Sequence, residues 1–249
     1  MEEDLKKPIN KVVFIIMMHE EIDAILEKEQ FILDEENSKR YESILQFHIK
    51  KTDSLEVIMV KFQKDPFHQT SVFGTELSFF GTSVSISTYN PDLIINMGYA
   101  GHTGVDGILS LGTVCVANTI AKFHRRQMIV DFARNTNEGN YPLKTPENLI
   151  RSLKYTPVYV GTSNSFVEFD DIAFKLGIHL VEMELASIAK ACNYFNKTLI
   201  GIKIVSDNTE PQENRDATFK DSLINLKQKF HRTFLELSSF LKDKKLVDL

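Results

Sequence analysis

The 249 residues suit one large α/β domain or two small ones. A hydrophobic share of 43% and a net charge of −5 are those of an ordinary globular protein, and neither suggests binding to nucleic acid. Two cysteines exclude a disulfide scaffold and offer no zinc-ligand spacing. Because the N-terminal residues are charged and no apolar run is long enough to span a membrane, we expect a cytoplasmic protein without a signal peptide and without membrane contact.

The N-terminal half alternates short apolar runs with helical patterns. After its first lysine, the run from Lys11 to Met18 is continuously apolar, as expected of a strand buried on both faces. Lys51-Thr52-Asp53-Ser54 separates two strand-like runs and indicates a hairpin. In chain order, the pattern predicts a strand over 11–18, a helix over 20–31, hairpin strands over 44–50 and 55–61, a helix over 69–88 and a strand over 92–96.

The C-terminal half continues the alternation and ends in a long helix. Its apolar stripe, which includes Phe219 and Phe230, is interpreted as core packing rather than as a cofactor-binding surface. The pattern predicts strands over 111–116, 158–160, 178–181 and 198–205, helices over 184–195 and 217–242, and an irregular polar segment over 123–146. The alternation predicts a single three-layer α/β/α domain over residues 1–249 with a central, twisted, mixed sheet, and residues 1–10 are expected to be flexible.

Acidic residues follow three of the predicted strands. Glu21 comes after the first strand, Glu182 and Glu184 after the strand over 178–181, and Asp207 after the strand over 198–205. Ligands of α/β proteins bind at the carboxyl ends of strands, so these carboxylates indicate acid–base chemistry on a small organic substrate. Each acid also has a structural interpretation: Glu21 suits the first turn of a helix, Asp207 suits a helix N-cap, and the glutamate pair suits a helix start.

Four motifs, in chain order, resemble the nucleoside phosphorylase and nucleosidase superfamily. Met18-His19-Glu20-Glu21 is similar to the acidic turn of its 5′-methylthioadenosine/S-adenosylhomocysteine nucleosidase branch. The run from Asp92 to Gly101, then Val181-Glu182-Met183-Glu184 and Val205-Ser206-Asp207, resemble three further motifs of the superfamily. Phe123-His124-Arg125-Arg126 and the closing residues 244–249 look most like plant-type nucleosidases. The resemblance extends from Val12 to the C-terminus and implies a nucleoside phosphorylase-like fold.

The turn after the first strand favours hydrolysis over phosphorolysis. Phosphorylases of this superfamily bind phosphate with arginines at a glycine-containing turn there, whereas this turn reads Met17-Met18-His19-Glu20-Glu21. A carboxylate in that place would repel phosphate and could instead deprotonate water. Two alternatives stay open at this point: a purine nucleoside phosphorylase, and a non-catalytic nucleoside-binding protein on the same fold.

The resemblance assigns catalytic roles to three acids. Glu21 matches the general base that activates water, and Asp207 matches the acid that protonates N7 of the leaving adenine. Glu184 matches the residue that holds the ribose hydroxyls. Ser206 is expected to orient Asp207, and Glu182 to act as a supporting residue. Neither a cofactor nor a metal is expected.

The resemblance also implies the remaining contacts of the nucleoside. Phe166 is expected to stack on adenine, with the backbone of Val167 reading the adenine edge, although a core phenylalanine is the alternative. Ala100 and Gly101 are expected to form a tight turn against the nucleoside. Met18 and Met183 are further substrate-binding residues. The segment with His124 and Phe132 is expected to reach into the site of a partner subunit, which implies a homodimer.

Four positions depart from the family pattern. His102 and Asn164 replace the glycine and the aspartate that are usual there, and Tyr99 replaces a small residue and is expected to crowd the nucleoside. Residues 62–66 replace a glycine-rich turn. The aromatic residues in 62–67, together with Phe132 and Phe219, predict a closed apolar pocket that prefers methylthioadenosine to adenosylhomocysteine. Lys64, Arg125 and Arg126 are the cations that could reverse this preference by pairing with the carboxylate of the longer substrate.

Overall fold

The structure, a computed structural model, describes residues 6–107, 109–124, 138–166, 171–209 and 215–249. All strands in these ranges belong to one mixed sheet. The strands are β1 (Lys11–Ile16), β2 (Ile32–Leu33), β3 (Leu45–Lys51), β4 (Glu56–Phe62), β5 (Leu93–His102), β6 (Val114–Phe123), β7 (Tyr141–Pro142), β8 (Thr156–Thr162), β9 (Leu180–Glu182) and β10 (Thr198–Asn208). The helices are α1 (His19–Leu26), α2 (Glu35–Lys39), α3 (Thr75–Tyr89), α4 (Glu147–Leu153), α5 (Asp171–Lys175), α6 (Leu185–Tyr194) and α7 (Arg215–Leu241), followed by a 3₁₀ turn at Leu246–Asp248.

Part of the sheet closes into a ring. β5 pairs in parallel with β1 and with β10, and β1 continues in parallel to β4, which forms the predicted hairpin with β3. From β10 the pairing runs through β6, β8 and β9 and returns to β5, with antiparallel pairs at β10–β6 and β9–β5. The ends of β5, β8, β9 and β10 therefore surround a common space beside the end of β1.

Two apolar cores cover the two faces of the sheet. On β1, Val13 and Ile15 pack into one core with side chains of α3 and α6, whereas Val12, Phe14 and Ile16 pack into the other with side chains of α1, α4 and α7. Burial on both faces explains why β1 has a continuous apolar sequence. Helices on both sides of a mixed sheet confirm the predicted three-layer architecture.

The largest differences from the predicted elements occur at the strand ends. β5 and β10 run on to His102 and Asn208 because they pair with each other over their whole length, with a register shift between Val205 and Asp207. The sequence around Gly98 was expected to leave the strand, and this expectation was wrong, because the β10 partner continues the ladder. α3 begins at Thr75 rather than at residue 69, because Gly74 has φ +110° and cannot join a helix.

Short elements escaped prediction. The two-residue strands β2 and β7 and the helices α2, α4 and α5, of five to seven residues, are too short to show a clear period. The long helices α6 and α7 follow the prediction closely. No helix in the described ranges combines the length and the apolar character needed to cross a membrane.

Candidate active site

A pocket that is partly open to solvent lies where the ends of β5, β8, β9 and β10 meet beside the end of β1. Its walls come from the turn after β1, the ends of β5 and β10, the loop after β8, the link between β9 and α6, and the first turns of α7. The described lining residues include four carboxylates and no lysine, arginine or histidine. Ten predicted site residues line it together: Met18, Glu21, Ala100, Gly101, Phe166, Glu182, Met183, Glu184, Ser206 and Asp207.

Glu21 is buried in the first turn of α1, with its carboxylate held by two backbone amides. The Tyr99 N–H donates to Glu21 Oε1 at 2.7 Å, and the Met18 N–H donates to Oε2 at 3.3 Å. Burial raises the pKa of Glu21 to about 7, although the Tyr99 amide and the charge of Lys203 oppose the rise. A fixed carboxyl group with this pKa is suited to accept a proton near neutral pH.

Lys203 was not predicted as a site residue, and it supplies the positive charge beneath the pocket. It lies in the middle of β10, is fully buried, and places its Nζ 2.7 Å from Glu182 Oε2 and 3.7 Å from Glu184 Oε2. Burial alone would lower the pKa of Lys203, but Glu182 and Glu184 raise it, so the side chain remains charged. A lone lysine inside the apolar run over 198–205 was the signal in the sequence, because buried charges require a partner.

Glu182 and Glu184 have different electrostatic environments although only Met183 separates them. Glu182 accepts hydrogen bonds from the backbone N–H groups of Glu184 and Leu185 and from the Thr162 hydroxyl. Burial would raise the pKa of Glu182, but Lys203 holds it below its usual range. Burial and the negative charge of Glu182 raise the pKa of Glu184. Both glutamates line the pocket, but the carboxylate of Glu182 already accepts hydrogen bonds from the backbone at the start of α6.

Asp207 lies in the irregular end of β10, with an oriented carboxylate. The Ser206 hydroxyl donates to Asp207 Oδ1 at 2.7 Å and also approaches the Ala100 carbonyl oxygen at 3.2 Å. The predicted tight turn at Ala100 and Gly101 was wrong, since both residues are part of β5. Gly101 is needed for close approach instead, because a Cβ there would lie 2.8 Å from Thr209 Cγ2 and 3.3 Å from Asp207 Oδ1.

Three phenylalanines line the pocket, and one of them was not expected. Phe166 and Phe219 pack edge to face, with their ring centroids 5.5 Å apart, so Phe219 belongs to the pocket as well as to the α7 stripe. Phe73, just before α3, is the unexpected member. The apolar pocket that was expected from residues 62–67 does not form there: Phe62 is buried in the core, and Phe67 is 88% exposed and does not line the pocket.

Four further residues either depart from the family pattern or were predicted to contact the substrate: Tyr99, His124, Phe132 and Val167. Tyr99 is among the residues that line the pocket, and its ring packs against Phe230 of α7, with centroids 5.2 Å apart. His124 follows β6, is buried, and donates its backbone N–H to the Thr162 carbonyl oxygen; it is not among the described residues that line the pocket. Phe132 and Val167 lie outside the described residues. Within the described ranges, no group of three or more His, Cys, Asp or Glu side chains is arranged to hold a metal ion.

The model of the phosphorylase superfamily matches residues 11–239. The chain belongs to this superfamily. Proteins named 5′-methylthioadenosine/S-adenosylhomocysteine nucleosidase are similar to it: one from Arabidopsis thaliana is 27% identical over 98% of this chain and 96% of its own, and one from Buchnera aphidicola is 26% identical over 83% and 92%. The structure of the Arabidopsis thaliana 5′-methylthioadenosine nucleosidase in apo form superposes with a TM-score of 0.89 at 22% identity, over 98% of this chain and all of that one. The predicted resemblance and the predicted phosphorylase-like fold are thereby confirmed.

Membership of the phosphorylase superfamily does not decide whether the nucleophile is phosphate or water. The residues of the site must decide it. A phosphate-using member needs cationic or amide donors aimed at the phosphate, whereas the turn after β1 presents Glu21. Lys203, whose charge acts on Glu21, is paired with Glu182. The pocket therefore has the charge pattern expected for activating water rather than for binding phosphate.

Proposed function

We propose that the protein is a hydrolase that cleaves the N-glycosidic bond of 5′-methylthioadenosine, with S-adenosylhomocysteine as a second substrate, and that it acts in methionine salvage. The observation that carries the proposal is a pocket with four carboxylates and no cationic side chain among its described lining residues. The nucleosidase names of its relatives support the same activity.

In the proposed reaction, Glu21 removes a proton from water while the water oxygen bonds to C1′ of the ribose. The bond between C1′ and N9 breaks, its electron pair passes to adenine, and Asp207 donates a proton to N7. Positive charge develops on the sugar as this bond breaks. Glu184 is placed to accept hydrogen bonds from the ribose hydroxyls, and these bonds strengthen as the charge grows.

Lys203 and Ser206 set the charge and orientation of these acids. Lys203 neutralises Glu182, which prevents two adjacent anions from facing each other behind the ribose. The Ser206 hydroxyl donates to one oxygen of Asp207 and so orients the carboxyl group for proton transfer to the base. The fixed carboxylates lower the entropic cost of reaching the reactive geometry.

The aromatic side chains support a preference for methylthioadenosine. Met18, Phe73 and Phe219 offer apolar surface for a methylthio group. Adenosylhomocysteine adds a zwitterionic tail, and burying an unpaired charge costs several kcal/mol. Lys64 is exposed and does not line the pocket, so it is poorly placed to pair with that tail.

The protein is further proposed to be a cytoplasmic homodimer that binds neither nucleic acid nor membrane. Phe166 is 50% exposed and Phe73 is 45% exposed at the pocket, which is costly for apolar side chains beside a small-molecule site. In the proposed dimer, a segment of the partner subunit covers them. The mass of the purified protein in light scattering tests this, and a monomer at micromolar concentration would contradict it.

Adenine release tests the proposed activity. The purified protein is incubated with methylthioadenosine in phosphate-free buffer, and free adenine is quantified by chromatography. We expect steady release by the wild type, and strongly reduced release by Glu21→Gln, which keeps the shape of the side chain but cannot accept the proton. Tight binding of methylthioadenosine without any adenine release would favour a non-catalytic nucleoside-binding protein instead.

A further inference from the structure

Helix α3 receives its N-terminal cap from a distant part of the chain. Its N-cap residue, Gly74, has no side chain to offer, and the first helical amide, Thr75 N–H, donates to Asn164 Oδ1 at 2.8 Å. Asn164 belongs to the loop after β8. Gly74 is required here because of its φ of +110° and because a Cβ would lie 2.6 Å from Asn164 Oδ1. The bond therefore joins two segments that are 89 residues apart.

The carbonyl group of the same residue, Thr75, is bonded to a third segment. The carbonyl oxygen of Thr75 accepts a hydrogen bond from the buried hydroxyl of Ser187 in the first turn of α6. The Ser187 N–H donates to the carbonyl oxygen of Glu184 at 3.0 Å. We call Thr75, with its two partners Asn164 and Ser187, the Thr75 junction.

Each segment that meets at the Thr75 junction carries a residue of the pocket. Phe73 precedes Gly74 directly, Phe166 follows Asn164 by two residues, and Glu184 precedes Ser187 by three. Phe73 and Phe166 lie outside helices and strands, so the bonds that anchor their segments help to fix both rings. The bond between Asn164 and Thr75 joins the two segments that carry these rings.

We propose that Asn164 is a positioning residue that holds Phe73 and Phe166 against the pocket by capping α3. The proposal rests on the proposed function, because it assigns these rings to the binding of the nucleoside. Asn164 acts through the backbone of Thr75 and does not take part in bond cleavage. Its loss should therefore weaken nucleoside binding and leave the chemical step largely intact.

Two substitutions at position 164 distinguish the loss of the helix cap from the loss of side-chain volume. Asn164→Ala removes the acceptor, and we expect KM for methylthioadenosine to rise about five- to tenfold, the size of one lost helix cap, with kcat within about twofold. Asn164→Asp keeps an acceptor at the positive end of α3 and should restore KM to the wild-type value. Asn193→Ala, which changes an exposed asparagine in the last turn of α6, is the matched control and should change neither parameter.

Hydrogen–deuterium exchange tests the junction independently of activity. In Asn164→Ala, peptides that cover residues 72–78 and 163–166 should exchange faster than in the wild type, and in Asn164→Asp they should exchange at the wild-type rate. Unchanged exchange in Asn164→Ala would show that Asn164 does not hold the Thr75 junction together. Faster exchange with an unchanged KM would show that the junction does not affect nucleoside binding. If the wild type releases no adenine, the proposed function fails, while the exchange rates still decide whether Asn164 holds the two segments together.

Discussion

The pocket consists of two regions that differ in chemistry and in support. The floor contains Glu21, Glu182, Glu184 and Asp207 with Lys203 beneath them, and every one of these side chains is buried. The rim contains Phe73, Phe166 and Phe219, of which the first two are about half exposed. The floor residues lie on β9 and β10, in the first turn of α1 or at the N-cap of α6, whereas Phe73 and Phe166 lie on loops.

This difference follows from the cost of burying charge. A buried carboxylate is tolerated only if hydrogen bonds or an opposite charge offset its lost hydration, so the floor needs fixed donors such as the Tyr99 amide and Lys203. Apolar rings need no such partners and can stay on less regular segments. We therefore expect changes in the floor to affect mainly catalysis and stability, and changes in the rim to affect mainly substrate binding.

The largest effect is expected at Asp207. Asp207→Asn keeps the size of the side chain but removes the proton donor, so kcat for adenine release should fall by about 10²–10⁴-fold. The melting temperature should change little. Activity within a few-fold of the wild type would mean that another group protonates adenine.

Lys203 links the activity of the floor to its stability. Lys203→Met should destabilise the protein by about 3–5 kcal/mol, because Glu182 would be left buried without its counter-charge. The double variant Lys203→Met/Glu182→Leu should be less destabilised than the single variant, as measured by urea unfolding. Equal destabilisation of the two variants would show that the ion pair is not the cause.

The pH dependence reports on Glu21. Because burial raises its pKa to about 7, and the base must be ionised, kcat/KM should fall about tenfold per pH unit below that value and level off above it. A flat profile between pH 5 and 8 would contradict the assignment of Glu21 as the base.

The folding stability should depend on pH in the opposite direction to the activity, and it should fall as Glu21 ionises. The folded state favours the protonated carboxyl, so the contribution of Glu21 to stability is lost as the pH rises from the unfolded pKa of 4.5 through about 7. Glu21→Gln should therefore stabilise the protein by about 1–3 kcal/mol at pH 8 and have little effect at pH 4. A variant that is less stable than the wild type at pH 8 would refute this account.

The smallest effect is expected at the rim. Phe73→Ala should raise KM for methylthioadenosine about three- to tenfold, since half of a phenylalanine side chain contributes on the order of 1 kcal/mol of apolar contact. Phe67→Ala, at a ring that is 88% exposed and does not line the pocket, is the control and should leave KM unchanged. A lower kcat with an unchanged KM in Phe73→Ala would mean that Phe73 contributes to catalysis rather than to substrate binding.

The same contrast explains which parts of the site were predictable. Glu21, Glu184 and Asp207 stand beside apolar strand runs in recognisable motifs, so local sequence was enough to bring them together. Phe73 and the contact of Asn164 with α3 could not be found in this way, because no local pattern marks them and the contact joins segments 89 residues apart. The closed ring of strands also escaped prediction, since the pairing of β9 with β5 rests on only two residue pairs.

The identity of the nucleophile tests the central claim most directly. Methylthioadenosine is incubated with the enzyme in buffer without phosphate and in buffer with tens of millimolar phosphate, and the sugar product is identified by mass spectrometry. The floor, with Glu21 and no described cationic side chain lining it, predicts free 5-methylthioribose at the same rate in both buffers. Formation of the sugar 1-phosphate, with adenine release only when phosphate is present, would contradict it.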